Sequence, residues 1–253
     1  MELNKIYNED CLEGMKKIPD KSVDMILCDL PYGTTACKWD TIIPFEELWE
    51  QYKRVIKDKG AIVLFGSEPF SSYLRLSNIK LYKYDLIWDK NKGAQPQLAK
   101  IQPMKSHENI SIFGEGRITY NPQMEKGKPY TRKNKGSSDK DNMIKTLKPI
   151  TQINSGYRYP KTIHKFSRDF SAQTRIHPTQ KPIALFEYLI KTYSNEGETV
   201  LDNCMGSGTT AIACINTNRN YIGFELDEEY YNASLDRIKK HKEEWNEELL
   251  WRN

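Results

Sequence analysis

Asp29 and Tyr32 stand three residues apart in the pentapeptide "DLPYG" (Asp29–Gly33). The run "VDMIL" (Val23–Leu27) precedes them and, bounded by charged and turn residues, reads as a buried strand. A carboxylate and an aromatic ring would then sit together at the carboxyl end of a core strand, where open α/β sheets place their ligands. The carboxylate accepts hydrogen bonds and the ring offers a flat face for stacking. Taken alone, the pentapeptide reads more simply as a turn, with Pro31 and Gly33 as punctuation and Tyr32 as packing.

A second constellation lies in "VLDNCMGSGTTAIA" (Val200–Ala213), which reads as a strand, a Gly-x-Gly turn and a helix. Gly206 and Gly208 let the backbone turn sharply and let a ligand approach, and the helix amides then face that ligand. Three ligand classes compete for such a turn. A phosphate-binding loop wants Gly-Lys-Ser/Thr, but this one has Gly-Thr-Thr and no lysine. A dinucleotide fingerprint wants a third glycine where Ala211 stands, a change that it tolerates. The third class is S-adenosylmethionine, a nucleoside without phosphate. Glu225, 17 residues after Gly208 in "YIGFELD", could accept hydrogen bonds from both ribose hydroxyls. With Asp202 and the glycines it makes a nucleoside site.

These residues need a sheet to hold them. "SVDMILCD", "GAIVLFGS", "YKYDLIWDK", "NISIFGEG", "ETVLDNC" and "NYIGFEL" read as strands. "PFEELWEQYKRVIK", with Pro44 at its first helical position, "EPFSSYLRLSN", "PIALFEYLIKTYS", "SGTTAIACINTN" and "DEEYYNASLDRIKKHKEEW" read as helices. Short apolar strands separated by helices imply a parallel sheet covered on both faces. Between residues 115 and 176 the rhythm stops. That segment has 14 Lys and Arg against 5 Asp and Glu, a net +9, whereas the rest of the chain has 24 against 29, a net −5. Such asymmetry points either to a polyanion partner or to a solvated basic loop. Interleaved tyrosines and phenylalanines (Tyr120, Tyr130, Tyr157, Tyr159, Phe166, Phe170) suit stacking on bases, or anchor a loose insertion to the main body.

Composition narrows the classes further. The 253 residues suffice for one large α/β domain, and no apolar run approaches the roughly 20 residues of a membrane helix. The charged start "MELNKIYNEDC" lacks a secretory core. Five cysteines with no CxxC pair and four scattered histidines argue against a disulfide framework and against a zinc site. A reduced, cytoplasmic, metal-free protein is expected.

Three motifs together resemble the amino-group DNA methyltransferases. "DLPYG" resembles their D-P-P-Y catalytic motif, "DNCMGSGTT" their D-P-F-x-G-S-G-T-T cofactor loop, and "HPTQKP" (His177–Pro182) the H-P-T-x-K-P segment before that loop. Catalytic motif, variable segment and cofactor loop follow in the beta-class order. The resemblance implies a Rossmann-like, S-adenosylmethionine-dependent α/β fold with a mostly parallel sheet, helices on both faces, a permuted motif order and a basic insertion. It implies a catalytic half over 1–114, a target-recognition insertion over 115–176 and a cofactor-binding half over 177–253. It assigns catalysis to Asp29, Leu30, Pro31 and Tyr32. The cofactor would be held by Asp10, Asp29, Phe65, Ser67, Thr179, Lys181, Asp202, Cys204, Gly206, Gly208, Thr209 and Glu225.

By the same resemblance the substrate is adenine in double-stranded DNA, flipped out of the duplex. Tyr32 would stack on it while Asp29 and the Leu30 carbonyl accept the two N6 hydrogens. The cysteines would be small core residues. The family's first proline is Leu30 here, and Asn203 and Cys204 replace its Pro-Phe. Cytosine-N4 methylation, with serine more usual at position 29, is the nearest alternative. An RNA or protein-glutamine methyltransferase and a non-catalytic DNA-binding module stand further off. A homodimer is open, no membrane is implied, and the chain has no room for a fused nuclease.

Overall fold

The computed structural model describes residues 1–34, 37, 40–134, 150–167, 176–177 and 180–252. In chain order the elements are β1 (Lys5–Tyr7), α1 (Cys11–Met15), β2 (Val23–Cys28), α2 (Phe45–Val55), β3 (Ile56–Gly66), α3 (Phe70–Ser77), β4 (Tyr82–Ala94) and β5 (Lys105–Phe113). Four short strands follow: β6 (Glu125–Lys126), β7 (Tyr130–Asn134), β8 (Ile150–Asn154) and β9 (Tyr157–Arg158). Then come β10 (Ile163–Lys165), α4 (Ile183–Tyr193), β11 (Thr199–Asp202), α5 (Thr209–Asn216), β12 (Asn220–Phe224) and α6 (Glu228–Arg252).

The chain divides into two compact units, residues 1–121 with 162–253 and Pro122–Lys161. The first is built on an eight-stranded sheet of order β1-β12-β11-β2-β3-β5-β4-β10. β1 through β3 run parallel in that order, β5 is antiparallel to both β3 and β4, and β10 is parallel to β4. The expected mostly parallel α/β sheet is therefore present. β5 reverses because no α-helix intervenes between β4 and β5 to carry the chain back across the sheet.

Apolar residues cover both faces, which explains why the central strands read as near-continuous hydrophobic runs. Along β2 and β3, Met25, Leu27, Ala61, Val63 and Phe65 point into one core with Leu185, Leu189 and Ile212 of α4 and α5. Ile26, Cys28, Ile62 and Leu64 point into the other, with Leu48, Tyr52 and Val55 of α2 and Phe70 and Leu74 of α3. Pro44 stands at the N-cap of α2 rather than at its first helical position. β10, inside the span expected to be insertion, joins the edge of the large sheet through Ile163, opposite Ile87.

The second unit holds two antiparallel ribbons, β6–β9 and β7–β8. Nearly all of its described side chains are exposed or half-exposed, so backbone pairing rather than a core shapes it. In the first unit, α1 lies so close to β12 that a Cβ on Gly14 would meet the Phe224 ring at 2.2 Å. Gly14→Ala should therefore cost about 1–3 kcal/mol by overpacking, read as a lower urea midpoint at unchanged slope. An unaltered midpoint would show that α1 does not pack at this distance.

Candidate active site

The strand order reverses between β11 and β2. From β11 the chain passes through α5 to β12 on one side, and from β2 through α2 to β3 on the other. Such a reversal leaves a crevice at the carboxyl ends of the two strands, because neither connection covers it. A cavity of about 700 Å³ opens there. Four adjacent parallel strands each deliver an acid to it: Asp10 beyond β1, Glu225 after β12, Asp202 at the end of β11 and Asp29 after β2. By strand spacing the row is about 14 Å long. Among the described residues that line the cavity, seven are Asp or Glu and one, Lys181, is a lysine.

Asp29 is engaged at both oxygens. Tyr32 Oη donates to Oδ1 at 2.7 Å, and Lys181 Nζ is paired with Oδ2. The Lys181 ammonium also lies 3.3 Å from Glu108 Oε2 on β5, and Lys90 pairs with the other oxygen of Glu108. Below it lies the Phe65 ring, 5.3 Å from ammonium to centroid, itself stacked on Phe186. Burial disfavours the ammonium, but the two carboxylates outweigh it and hold Lys181 above the usual lysine range. Burial likewise pushes the Asp29 carboxyl up; Lys181 opposes the rise and Glu108 adds to it, leaving Asp29 above the usual carboxylate range. For Glu108 burial is outweighed by Lys181 and Lys90, so its carboxyl is held low.

The turn after Asp29 is tied to a second acid. The backbone N–H groups of Tyr32, Gly33 and Thr34 donate to the buried Asp40 carboxylate at 2.7, 2.9 and 2.9 Å. Three successive amides wrapped around one anion form a nest, which fixes the path of the loop. Gly33, at φ 66°, supplies the left-handed residue this path needs. Leu30 is only 4 % exposed, its side chain packed in the core beneath.

The glycine turn is equally constrained. Asp202 Oδ1 accepts from Cys204 N at 3.0 Å and Oδ2 from the Thr210 hydroxyl, so it closes its own loop. Burial raises its carboxyl to about 6, against these hydrogen bonds. Glu225 Oε2 accepts from Gly206 N at 2.7 Å and Oε1 from Asp227 N at 2.9 Å. A Cβ on Gly206 would meet nothing closer than His177 at 3.8 Å, so its backbone stays open to the cavity. Gly208, at φ 75°, caps α5 and packs against Ser234 and Ile238 of α6. From α6, Arg237 reaches back to the Ser207 carbonyl at 2.9 Å and to Thr209 Oγ1 at 3.0 Å. Asn203 is held by the Tyr52 hydroxyl and lies 3.6 Å from the Cys11 sulfur.

A protein-family profile described as DNA methylase (N6_N4_Mtase) matches residues 23–236. The chain belongs to this DNA methylase family. Among curated relatives, the type II methyltransferase M1.MboII of Moraxella bovis is 30 % identical over 92 % of this chain and 96 % of its own. The DNA adenine methyltransferase YhdJ of Escherichia coli K12 is 29 % identical over 94 % of this chain and 83 % of its own. Two solved structures share the fold. The M1.HpyAVI–SAM complex (TM-score 0.64, 24 % identity) covers 92 % of this chain and 98 % of that one. The cytosine-N4-specific PvuII methyltransferase (TM-score 0.66, 15 % identity) covers 96 % and 91 %.

In this DNA methylase, Asp10, Asp29, Leu30, Pro31, Tyr32, Lys181, Asp202, Cys204, Gly206, Thr209 and Glu225 all line the one cavity. Asp10 does so while capping α1, its Oδ1 accepting from Leu12 N at 2.9 Å. Three expected residues stand elsewhere. Phe65 lies in the core under Lys181, Gly208 faces α6, and Ser67 accepts from Lys105 outside the lining. Thr179 lies outside the described residues. Tyr32, expected to stack on a base, here donates to Asp29 and rests against the Phe70 ring, centroids 5.0 Å apart.

Three residues that the motifs do not name also shape the site: Asp40, Glu108 and Arg237. Only Asp40 had a local signal, as an acid closing the loop that "DLPYG" opens.

Removing the ammonium with Lys181→Met takes away the charge that opposes the rise of the Asp29 carboxyl. If ionised Asp29 is the active form, activity is present above its pKa, and that pKa climbs further in the variant. The acid limb of a single-turnover methylation profile should therefore move to higher pH; an unmoved limb would exclude ionised Asp29 as the controlling group. Asp40→Ala removes the shared acceptor of the Tyr32, Gly33 and Thr34 amides, so the loop loses the anion that fixes its path. Methylation should fall at least tenfold with cofactor affinity little changed, and Asp40→Glu or Asp40→Asn should recover part of it. Equal losses in affinity and rate would instead mean general collapse of the cavity.

Proposed function

We propose that this DNA methylase transfers a methyl group from S-adenosylmethionine to the exocyclic N6 of adenine in double-stranded DNA. The observation that carries the reading is the acid row ending at Asp29. A wall of carboxylates repels a polyphosphate cofactor and suits a cationic one. The glycine turn has no lysine for phosphate, and open backbone at Gly206 beside Glu225 fits a ribose. Asp10, Asp202, Gly206 and Glu225 would hold the nucleoside, with Lys181 and Thr209 toward the reacting end. When bound, S-adenosylmethionine supplies a methyl group on a positively charged sulfur.

The base must leave the duplex to reach Asp29, at a cost of a few kcal/mol. On its arrival an N6 hydrogen replaces the Tyr32 hydroxyl at Asp29 Oδ1, exchanging one donor for another. This frees the Tyr32 ring to stack on the base, worth roughly 1–3 kcal/mol. The Leu30 carbonyl accepts the second N6 hydrogen. Adenine N6 is a weak nucleophile because its lone pair is delocalised into the ring. Two acceptors in the right directions draw the nitrogen toward tetrahedral geometry and localise that pair. The Asp29 charge then stabilises the positive charge that grows on nitrogen, which is discharged when the nitrogen releases one of its two hydrogens as a proton to solvent. Holding the two partners in contact supplies much of the remaining acceleration. Lys181 favours the ionised form of Asp29 against the burial that raises its carboxyl. The reaction belongs in the cytoplasm, with all five cysteines as free thiols. The basic segment would contact the DNA.

Unmethylated DNA incubated with the protein and deuterated-methyl S-adenosylmethionine, then digested to nucleosides for mass spectrometry, should yield labelled N6-methyladenine. Asp29→Ala should lose about 10²–10³ in rate while calorimetry still finds cofactor binding. Labelled N4-methylcytosine would overturn the base assignment, and full activity in Asp29→Ala would overturn the mechanism.

A further inference from the structure

Among the described residues of the Pro122–Lys161 unit the β7–β8 ribbon is the longest regular feature, and its register sorts its side chains onto two faces. Tyr130 pairs with Asn154 and Arg132 with Gln152, while Thr131 pairs with Ile153 and Lys133 with Thr151. Directly opposed residues of an antiparallel pair share a face, and successive residues alternate. One face therefore carries Tyr130, Arg132, Ile150, Gln152 and Asn154, and the other Thr131, Lys133, Thr151 and Ile153.

Arg132 and Gln152 lie directly across from each other and both are exposed. Among the described residues, neither side chain has a hydrogen-bond or ion-pair partner within the protein. Asn154 is committed instead: its Nδ2 donates to the Tyr157 carbonyl and its Oδ1 accepts from Gly156 N, closing the turn into β9. At the Tyr130 end, the Arg158 guanidinium sits 5.8 Å over the Tyr130 ring, which brings a second arginine to the same end of the ribbon. Residues 122–161 contain 10 Lys and Arg against 3 Asp and Glu, a net +7.

We propose that the Arg132–Gln152 face of this ribbon reads base edges in the major groove of the DNA substrate. The inference rests on the DNA-methylating reading above and adds the readers. The major groove admits a two-stranded ribbon, and the two side chains are the ones whose forks match bases bidentately, Arg to guanine O6 and N7 and Gln to adenine N6 and N7. Set on opposite strands of one ribbon, they address neighbouring base pairs. The other face offers Lys133, a point charge suited to phosphate, beside two threonines and Ile153. The excess positive charge supplies the sequence-independent attraction that brings the ribbon to the groove.

The test uses the full chain, S-adenosylmethionine and a DNA library containing all short sequences, with methylated positions mapped by single-molecule sequencing. Wild-type protein should methylate one defined sequence. Arg132→Ala and Gln152→Ala should each relax discrimination at a single base pair by roughly 5- to 150-fold, with cofactor binding kept. Lys133→Ala should weaken methylation of all sequences alike and lower the salt dependence of DNA binding.

If the wild-type protein methylates a defined sequence and the Arg132 and Gln152 variants keep its ranking, or lose rate equally on every sequence, the ribbon assignment fails alone. A changed preference in Lys133→Ala instead would move the reading to the opposite face and overturn it. A wild-type protein that labels no DNA base overturns the DNA-methylating reading, and the ribbon assignment with it.

Discussion

Where β11 and β2 lie side by side, the chain leaves the sheet in opposite directions, and everything at the site depends on that reversal. It leaves the carboxyl ends of β1, β12, β11 and β2 uncovered in one row. Each strand ends in an acid or runs straight on to one, so the crevice gathers negative charge. No local sequence rule requires this. Asp10 and Asp202 spend their oxygens on amides and a hydroxyl of their own turns, and Glu225 bridges Gly206 to Asp227. The acids thus build the loops that form the cavity and set its electrostatic character at once.

Asp29 differs from the other three because its strongest partner comes from far along the chain. Lys181 is 152 residues away and almost without solvent. Burying a lysine costs several kcal/mol unless it is paired, and a single carboxylate seldom repays that cost. Here two carboxylates do so, and Lys90 neutralises the far side of Glu108. The alternating row Lys90–Glu108–Lys181–Asp29 is close to neutral overall, which lets it persist where any one member alone would be expelled or would change its protonation. Fixing Asp29 in this way joins the first part of the chain to the part before the glycine turn, so the two motifs are held together by the site itself.

The strands and helices of six residues or more were mostly legible from the chain, since two-sided burial leaves continuous apolar runs at β2 and β3 and helical spacing at α2 and α4. What was not legible is instructive. β1 has three residues and α1 five, too few for a period to show, and β6 to β9 alternate no apolar face because neither face is buried. The antiparallel direction of β5 has no signature in its own residues; it follows from the missing helix before it. At the site, Asp29 and the glycine turn were legible because their spacing is local. Glu108 was not, since its meaning lies in Lys90 and Lys181, reached only through sheet pairing of β4 with β5 and through the segment before α4. Phe65 and Gly208 belong to the site's supports rather than its walls, a distinction of facing direction that spacing alone does not carry.

The two places where the chain departs from its family's motifs have a common physical solution. Proline stiffens a loop chiefly by reducing the freedom of the unfolded chain. Leu30 and Asn203 give up that advantage. In exchange, Leu30 buries its side chain in the core shared with α2, and Asn203 takes a hydrogen bond from the Tyr52 hydroxyl of α2. Both loops are thereby held by the folded core rather than by a fixed backbone angle. The turn at Asp29 adds the Asp40 nest, a restraint supplied entirely by backbone amides. Stiffness that comes from packing can be lost with the packing. The loops at Asp29 and at the glycine turn accordingly both draw on the core that contains α2, one through the Leu30 side chain and the other through the Tyr52 hydroxyl.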